Sequence, residues 1–222
     1  MMNRVRVIYT GPGEAIQNMA IDWALLQLRG EGAIPDTLRF YTWRDRTVTL
    51  GYSQDISMEL DLDKCREHNV DTVYRPTGGA LVLHQFDLTY SIVAGMPGLS
   101  PSKWNDFSSR VVCALCRGLK GLGLDATCAK GREVRGRRNR GACFSSLAMN
   151  EITVNGRKIV GNAKRWKNGA LLQHGSISVR RSPLTIVDLM AGLSSEEREQ
   201  KKWELEEQST NINSIKCRWF SL

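Results

Sequence analysis

Cys143 lies in Ala142-Cys143-Phe144-Ser145-Ser146, a polar turn that follows an arginine- and glycine-rich stretch. The thiolate is the nucleophilic form of cysteine, and neighbouring cations favour it. Free cysteines more often only pack in cores, but the run around Cys143 has no core pattern. Lys158 follows the turn Asn155-Gly156 and heads an apolar strand. It is either an ordinary surface lysine or a fixed positive charge set where a carboxylate, phosphate or acyl carbonyl could sit. Upstream, Tyr74-Arg75-Pro76-Thr77-Gly78-Gly79-Ala80-Leu81-Val82-Leu83-His84 places one cation and a glycine pair between apolar runs. Glycines let a backbone approach a ligand closely and offer it N–H groups. Many hairpins carry two glycines, and a strand histidine such as His84 or His174 is usually a satisfied structural one. The constellation is more specific than its parts. It makes Cys143 and Lys158 the catalytic pair and Arg75 to His84 the stretch that holds the substrate.

These residues need a scaffold, and hydropathy periods supply one. Val5–Thr10 alternates as a strand, and Glu14–Leu28 is a helix with Ile16, Met19, Ala20, Trp23, Leu26 and Gln27 at helical spacing. Thr37–Trp43 and Thr47–Gly51 read as strands joined by Arg44-Asp45-Arg46 into a hairpin. Leu60–His68 is a short helix, and Val70–Tyr74, Ala80–Leu83 and Asp87–Ala94 are strands. Pro101–Gly121 is a long helix, with Ser100 placed to cap it. After a short strand, Gly123–Cys128, three antiparallel strands follow: Met149–Val154, Lys158–Lys164 and Ala170–Val179. Asn155-Gly156 is the hairpin signal between the first two. Pro183–Met190 and Ser194–Gln208 are helical. The expected fold class is α+β, a mixed, mainly antiparallel sheet flanked by helices. It forms one domain over residues 1–222, with a helical tail from about 183.

Composition narrows the function classes. The 222 residues are 41% hydrophobic and 24% charged, ordinary for a globular protein. No apolar run is long enough to span a bilayer, and the chain starts directly into a strand, so a cytoplasmic protein without a membrane role is expected. Cys113 and Cys116 have C-x-x-C spacing, but they fall on an apolar helix face without a second ligand pair. Core packing is expected for both, and no metal site. Net charge is +8, much of it from Lys130 to Arg140. That loop is either simply solvated or a docking patch for an acidic macromolecule. Nucleic acid is not expected, because the basic residues lack interleaved aromatics and no helix-turn-helix is evident.

The order Arg75-Pro-Thr-Gly-Gly-x-x-Val-x-His84, then Lys158-Ile-Val-Gly-Asn-Ala163, then Gln173-His174-Gly175-Ser176-Ile177 resembles the catalytic domain shared by lipoate–protein ligases, octanoyltransferases and biotin ligases. The resemblance runs from about Asn18 to Val179. Asn18-Met19-Ala20-Ile21-Asp22, Arg39-Phe40-Tyr41-x-Trp43 and Leu50-Gly51-x-x-Gln54 are also similar to family segments. Asp87-Leu-Thr-Tyr-Ser-Ile92 and Ala142-Cys-Phe-x-Ser146, with Cys143 fifteen residues ahead of Lys158, most resemble the cysteine-dependent octanoyltransferases.

The resemblance implies a biotin/lipoate ligase-like fold and a defined chemistry. Octanoyl–acyl carrier protein would donate to Cys143, and a lysine of a lipoyl-domain protein would take the acyl group as an amide. The glycine cleavage H protein and a 2-oxoacid dehydrogenase subunit are acceptors of this kind. Lys158 would lower the thiol's pKa and orient the acyl carbonyl. N–H groups near Asn162 or Ala163 would meet the oxyanion. Arg75, Thr77, Gly78, Gly79 and His84 would bind substrate from one side; Gly161, Asn162, Ala163, His174 and Gly175 would do so from the other. Three residues depart from the pattern. Tyr74 stands where many relatives have arginine, Ala80 where they have a third glycine or an arginine, and Gln85 where an aspartate is common. The first two remove features that ligases use around an adenylate phosphate, so no cofactor is expected. The alternatives are a lipoate–protein ligase using ATP and Mg, and an amidotransferase moving octanoyl or lipoyl groups between lipoyl-domain proteins.

Overall fold

The computed structural model describes residues 4–95, 98, 101–128 and 151–215. Cys143, the 130–140 loop and Ser100 therefore lie outside the described residues. Among the described residues, ten strands form two sheets. The larger has the order β1-β2-β6-β10-β9-β8-β7, built from Val5–Gly13, Asp36–Trp43, Asp87–Gly95, Ala170–Ser178, Arg157–Lys167, Ile152–Val154 and Ala126–Cys128. Only its β1–β2 pair is parallel. The smaller has the order β4-β3-β5, from Asp71–Arg75, Thr47–Gly51 and Val82–His84. The fold is thus mixed α+β with a mainly antiparallel sheet, as its sequence pattern predicts.

Two long helices cover opposite faces of the large sheet. Helix α1, Ala15–Gly30, sets Leu25 and Leu26 on Val93, Ala170 and Leu172. The other, Pro101–Gly121, packs Val112, Cys116 and Leu119 on Tyr90, Ile92 and Ile177. Neighbouring strand residues point to opposite faces, which is why Ile92 and Val93 serve different helices. Short helices α2 (Ile56–Glu59) and α3 (Leu62–Glu67) precede β4, so the long second helix is α4. Asp55 and Asp61 cap α2 and α3 by accepting backbone N–H bonds. The expected single helix over Leu60–His68 is therefore interrupted: Leu60 bridges to Met190, and α3 begins after Asp61. Helices α5 (Ile186–Leu189) and α6 (Ser195–Gln208) follow β10, and Ser194 with Glu197 forms a capping box for α6.

The expected hairpin of β2 with β3 does not form. β2 stays between β1 and β6, while β3 crosses into the small sheet between β4 and β5. All five residues of β3 are buried, as a strand covered on both faces requires. The Asn155-Gly156 hairpin does form, with both residues at positive φ, 52° and 76°. The Cys113/Cys116 expectation holds for one member only. Cys116 is buried, with its Sγ donating to the Ala126 carbonyl at 3.1 Å, whereas Cys113 is exposed. No helix of the described residues is long and apolar enough to cross a membrane.

Candidate active site

The two sheets meet around a narrow pocket whose surface is almost wholly apolar. The small sheet and its turn contribute Thr49, Arg75, Gly79 and His84; the large sheet contributes Gly161, Asn162, Ala163, His174 and Gly175. Eight of the ten residues expected to bind substrate therefore share one lining. Pockets of this kind, apolar with a few convergent polar groups, suit small ligands and acyl chains.

The turn between β4 and β5 is held by its own arginine. Arg75 Nη2 donates to the carbonyls of Gly78 and Ala80, both at 2.8 Å, and Nη1 donates to the Thr49 carbonyl at 3.0 Å. The guanidinium expected to grip substrate instead closes the turn beside it. Gly79 sits at φ +101°, and a Cβ there would lie 2.8 Å from Arg75 Nη2. Gly175 is needed for a different reason, since a Cβ would fall 2.4 Å from the Gly161 carbonyl oxygen on β9.

Thr77 and Gly78 do not line the pocket. Gly78 supplies a carbonyl to Arg75, and Thr77 is fully buried as the end of a polar chain. Asp22 on α1 accepts from His174 Nδ1 at 3.0 Å, and His174 Nε2 lies 2.6 Å from Thr77 Oγ1. With Asp22 ionised, Nδ1 is the donor; in the neutral ring Nε2 then accepts from the Thr77 hydroxyl. Asp22 also accepts from Arg39 Nη1 at 2.8 Å, Tyr41 Oη at 2.9 Å and Ser91 Oγ at 2.7 Å. Burial works to raise its pKa. The hydrogen bond and charge of His174, the charge of Arg39 and the Ser91 bond outweigh that and hold it below the usual carboxylate range. Tyr41 is pushed well up, by burial first and then by the Asp22 charge.

A second chain of the same kind stands on the other wall. Asp87 accepts from His84 Nδ1 at 2.9 Å, and His84 Nε2 lies 3.1 Å from Thr49 Oγ1. Thr89 and Ser176 hydroxyls also donate to Asp87, at 2.9 and 2.7 Å. Burial again opposes its ionisation, and His84 with these two hydroxyls outweighs it, so the pKa is lowered. The His84 ring stacks on Trp43 at 4.2 Å. Both histidines are thus oriented by a carboxylate behind and a threonine hydroxyl ahead.

Lys158 is no surface lysine. It is fully buried on β9, three residues before Gly161, and its Nζ bonds the Glu151 carboxylate. It does not line the pocket. A buried cation of this kind persists only with a close carboxylate partner. Sequence reasoning missed Glu151, and it missed Asp22, Asp87 and Thr49 as members of the site. The available signal was a carboxylate and an amide, Asp22 and Asn18, one helical turn apart.

The chain has known relatives along most of its length. The chain is similar to octanoyltransferase LipM of Clostridioides difficile, 40% identical over 178 residues, which is 79% of this chain and 66% of that protein. It is 34% identical to octanoyltransferase LipM of Kyrpidia tusciae, over 96% of this chain and 80% of that one. The solved structure of lipoate-protein ligase A bound with ATP matches with a TM-score of 0.72 and 25% identity, over 97% of this chain and 78% of that one. A bi-partite lipoate protein ligase of Thermoplasma acidophilum, studied with its E2 lipoyl domain, gives 0.73 at 23% identity, over 97% and 76%. The model of the lipoyl protein ligase A/B catalytic domain matches residues 14–218, and the chain belongs to that family.

Proposed function

We propose that this chain transfers an octanoyl group from octanoyl–acyl carrier protein to a lysine of a lipoyl-domain protein, through a thioester on Cys143 and without ATP. The observation that carries the reading is the pocket: a narrow apolar slot whose lining arginine is occupied by turn carbonyls. An adenylate needs cations turned toward its phosphate, whereas an acyl chain needs an apolar wall. The exposed Tyr74, in place of an arginine, points the same way. Relatives that carry the name octanoyltransferase support the acyl group.

In this reading the Cys143 thiolate attacks the thioester carbonyl of the donor. The carrier's thiolate leaves and takes up a proton. The neutral ε-amine of the acceptor lysine then attacks the acyl-enzyme, loses a proton as the amide forms, and releases the Cys143 thiolate. Lys158 supplies positive charge near the reacting centre, with Glu151 holding its ammonium in place. The two histidine chains keep the walls of the acyl slot in register.

The test is transfer itself. An unmodified lipoyl domain mixed with the enzyme and octanoyl–acyl carrier protein, with no nucleotide present, gains the mass of one octanoyl group. Modification only when ATP and the free acid are supplied makes the protein a ligase instead.

A further inference from the structure

Helix α1 turns its one carboxylate inward, beside the buried Ala15, Met19, Leu25 and Leu26. Its inward face buries Asn18 and Asp22. Its outward face is uncharged: Ile16, Ala20, Ala24 and Leu28 recur every four residues with Gln17 among them, and all are exposed, Ile16 to 72%. The only charged residues of α1 are Asp22 and Arg29, and Arg29 is paired with Asp36 at 2.6 Å. A solvent-facing stripe normally carries charge.

A cation–aromatic platform adjoins this stripe. Arg165 lies on β9 two residues past Ala163, on the same strand face as that pocket residue. Its guanidinium sits between Trp23 of α1, 5.2 Å away, and the exposed Tyr52, 4.8 Å away. Nη1 donates to the Pro76 carbonyl at 2.7 Å, which ties the platform to the Arg75–Gly79 turn. Lys167 holds its ammonium 4.3 Å over the other end of the platform, the Trp23 ring. Neither cation takes part in an ion pair among the described residues. Uncharged centres with tryptophan, tyrosine and arginine at hand are the make-up of protein-binding surfaces.

We propose that the outer stripe of α1 and the Trp23–Tyr52–Arg165–Lys167 platform dock the acceptor domain, through an acidic patch flanking its target lysine. The inference rests on the acyl-transfer reading above. Charge calls for an acidic partner, and reach selects the acceptor among such partners. Both unpaired groups are cations on a chain of net charge +8, which complements an acidic partner. The platform is also one hydrogen bond from the pocket turn. A donor carries its acyl chain on a long flexible arm, so its protein surface can stand away from the pocket. A lysine side chain is short, so its domain must sit against the mouth.

The test is the double variant Lys167→Glu/Ala24→Glu, at positions outside the pocket lining. Transfer to an unmodified lipoyl domain is measured against its concentration, alongside acylation of the enzyme by octanoyl–acyl carrier protein alone. The expected result is an acceptor KM raised about tenfold or more, a change in the range of a lost interfacial charge contact. Enzyme acylation and the thermal midpoint stay unchanged. Wild-type acceptor KM rises with salt, and the variant's does so less. An unchanged acceptor KM overturns the proposal. So does a fall in acylation by the donor, which places the donor there, or a dimer in the wild type that the variant dissociates, which places a second copy there. If the wild type transfers nothing, the acyl-transfer reading fails separately. Direct titration of the lipoyl domain then decides docking: binding by the wild type and none by the variant sustains it, and equal binding or no binding in both overturns it.

Discussion

The inner and outer faces of α1 teach opposite lessons. The inner face sets two polar groups among apolar ones: between Ala15, Met19, Leu25 and Leu26, Asn18 and Asp22 hold Arg39, Tyr41, Ser91 and His174, and through His174 the Arg75–Gly79 turn. The outer face is uncharged and exposed, from Ile16 through Gln17, Ala20 and Ala24 to Leu28. A helix whose only task was stability would carry its carboxylate on the solvent side. Charge is kept inside because a buried, hydrogen-bonded network fixes a single geometry, and here that geometry is one wall of the pocket.

The contrast is broken most severely from within. Asp22→Ala leaves the Arg39 guanidinium buried without its carboxylate and should cost about 3–5 kcal/mol in chemical denaturation, the range for removing one partner of a buried pair. A loss under about 1 kcal/mol would show that the network is not what holds α1 to the sheet. Thr77→Val removes only the last link and leaves His174 Nε2 unpaired; about 1–3 kcal/mol is expected. Its informative readout is a loss of acyl-enzyme formation greater than the loss of fold, measured at a temperature where the variant is fully folded.

Acid offers a gentler approach to the same network. Asp22 and Asp87 have folded-state pKa values below their unfolded one, so their contribution is complete above the unfolded value and vanishes as pH falls through the folded one. Stability from these groups should hold from pH 7 to about pH 4, near the unfolded aspartate pKa, and fall below it. A urea midpoint that already drops between pH 7 and 5 would assign acid sensitivity to other groups. The smallest effect belongs to the outer face: Ile16→Gln should stay within about 0.5 kcal/mol, as surface changes do.

Much of this was legible in the sequence, but α1 shows where legibility stops. Its helical period is plain, yet the apolar positions Ile16 and Ala20 look outward and the polar Asn18 and Asp22 look inward. Hydrophobic spacing locates a buried face only when the core is apolar there, and at a functional site it is not. The β2–β3 hairpin failed for a related reason, because local turn residues cannot report that a strand leaves for another sheet. The pocket was readable because its glycines and histidines cluster in three short stretches of chain, and nearly all of those residues meet. The Glu151 partner was not readable as one, since pairing across the β8–β9 hairpin leaves no mark in local spacing, whereas Asp87 stands only three residues past the His84 it orients.

Acyl transfer through Cys143 is tested by the intact mass of the enzyme after mixing with octanoyl–acyl carrier protein and no ATP. A single octanoyl adduct is expected, one that hydroxylamine removes and that Cys143→Ser abolishes. An enzyme that modifies its acceptor while never carrying the adduct, or an adduct that persists in Cys143→Ser, would contradict transfer through Cys143.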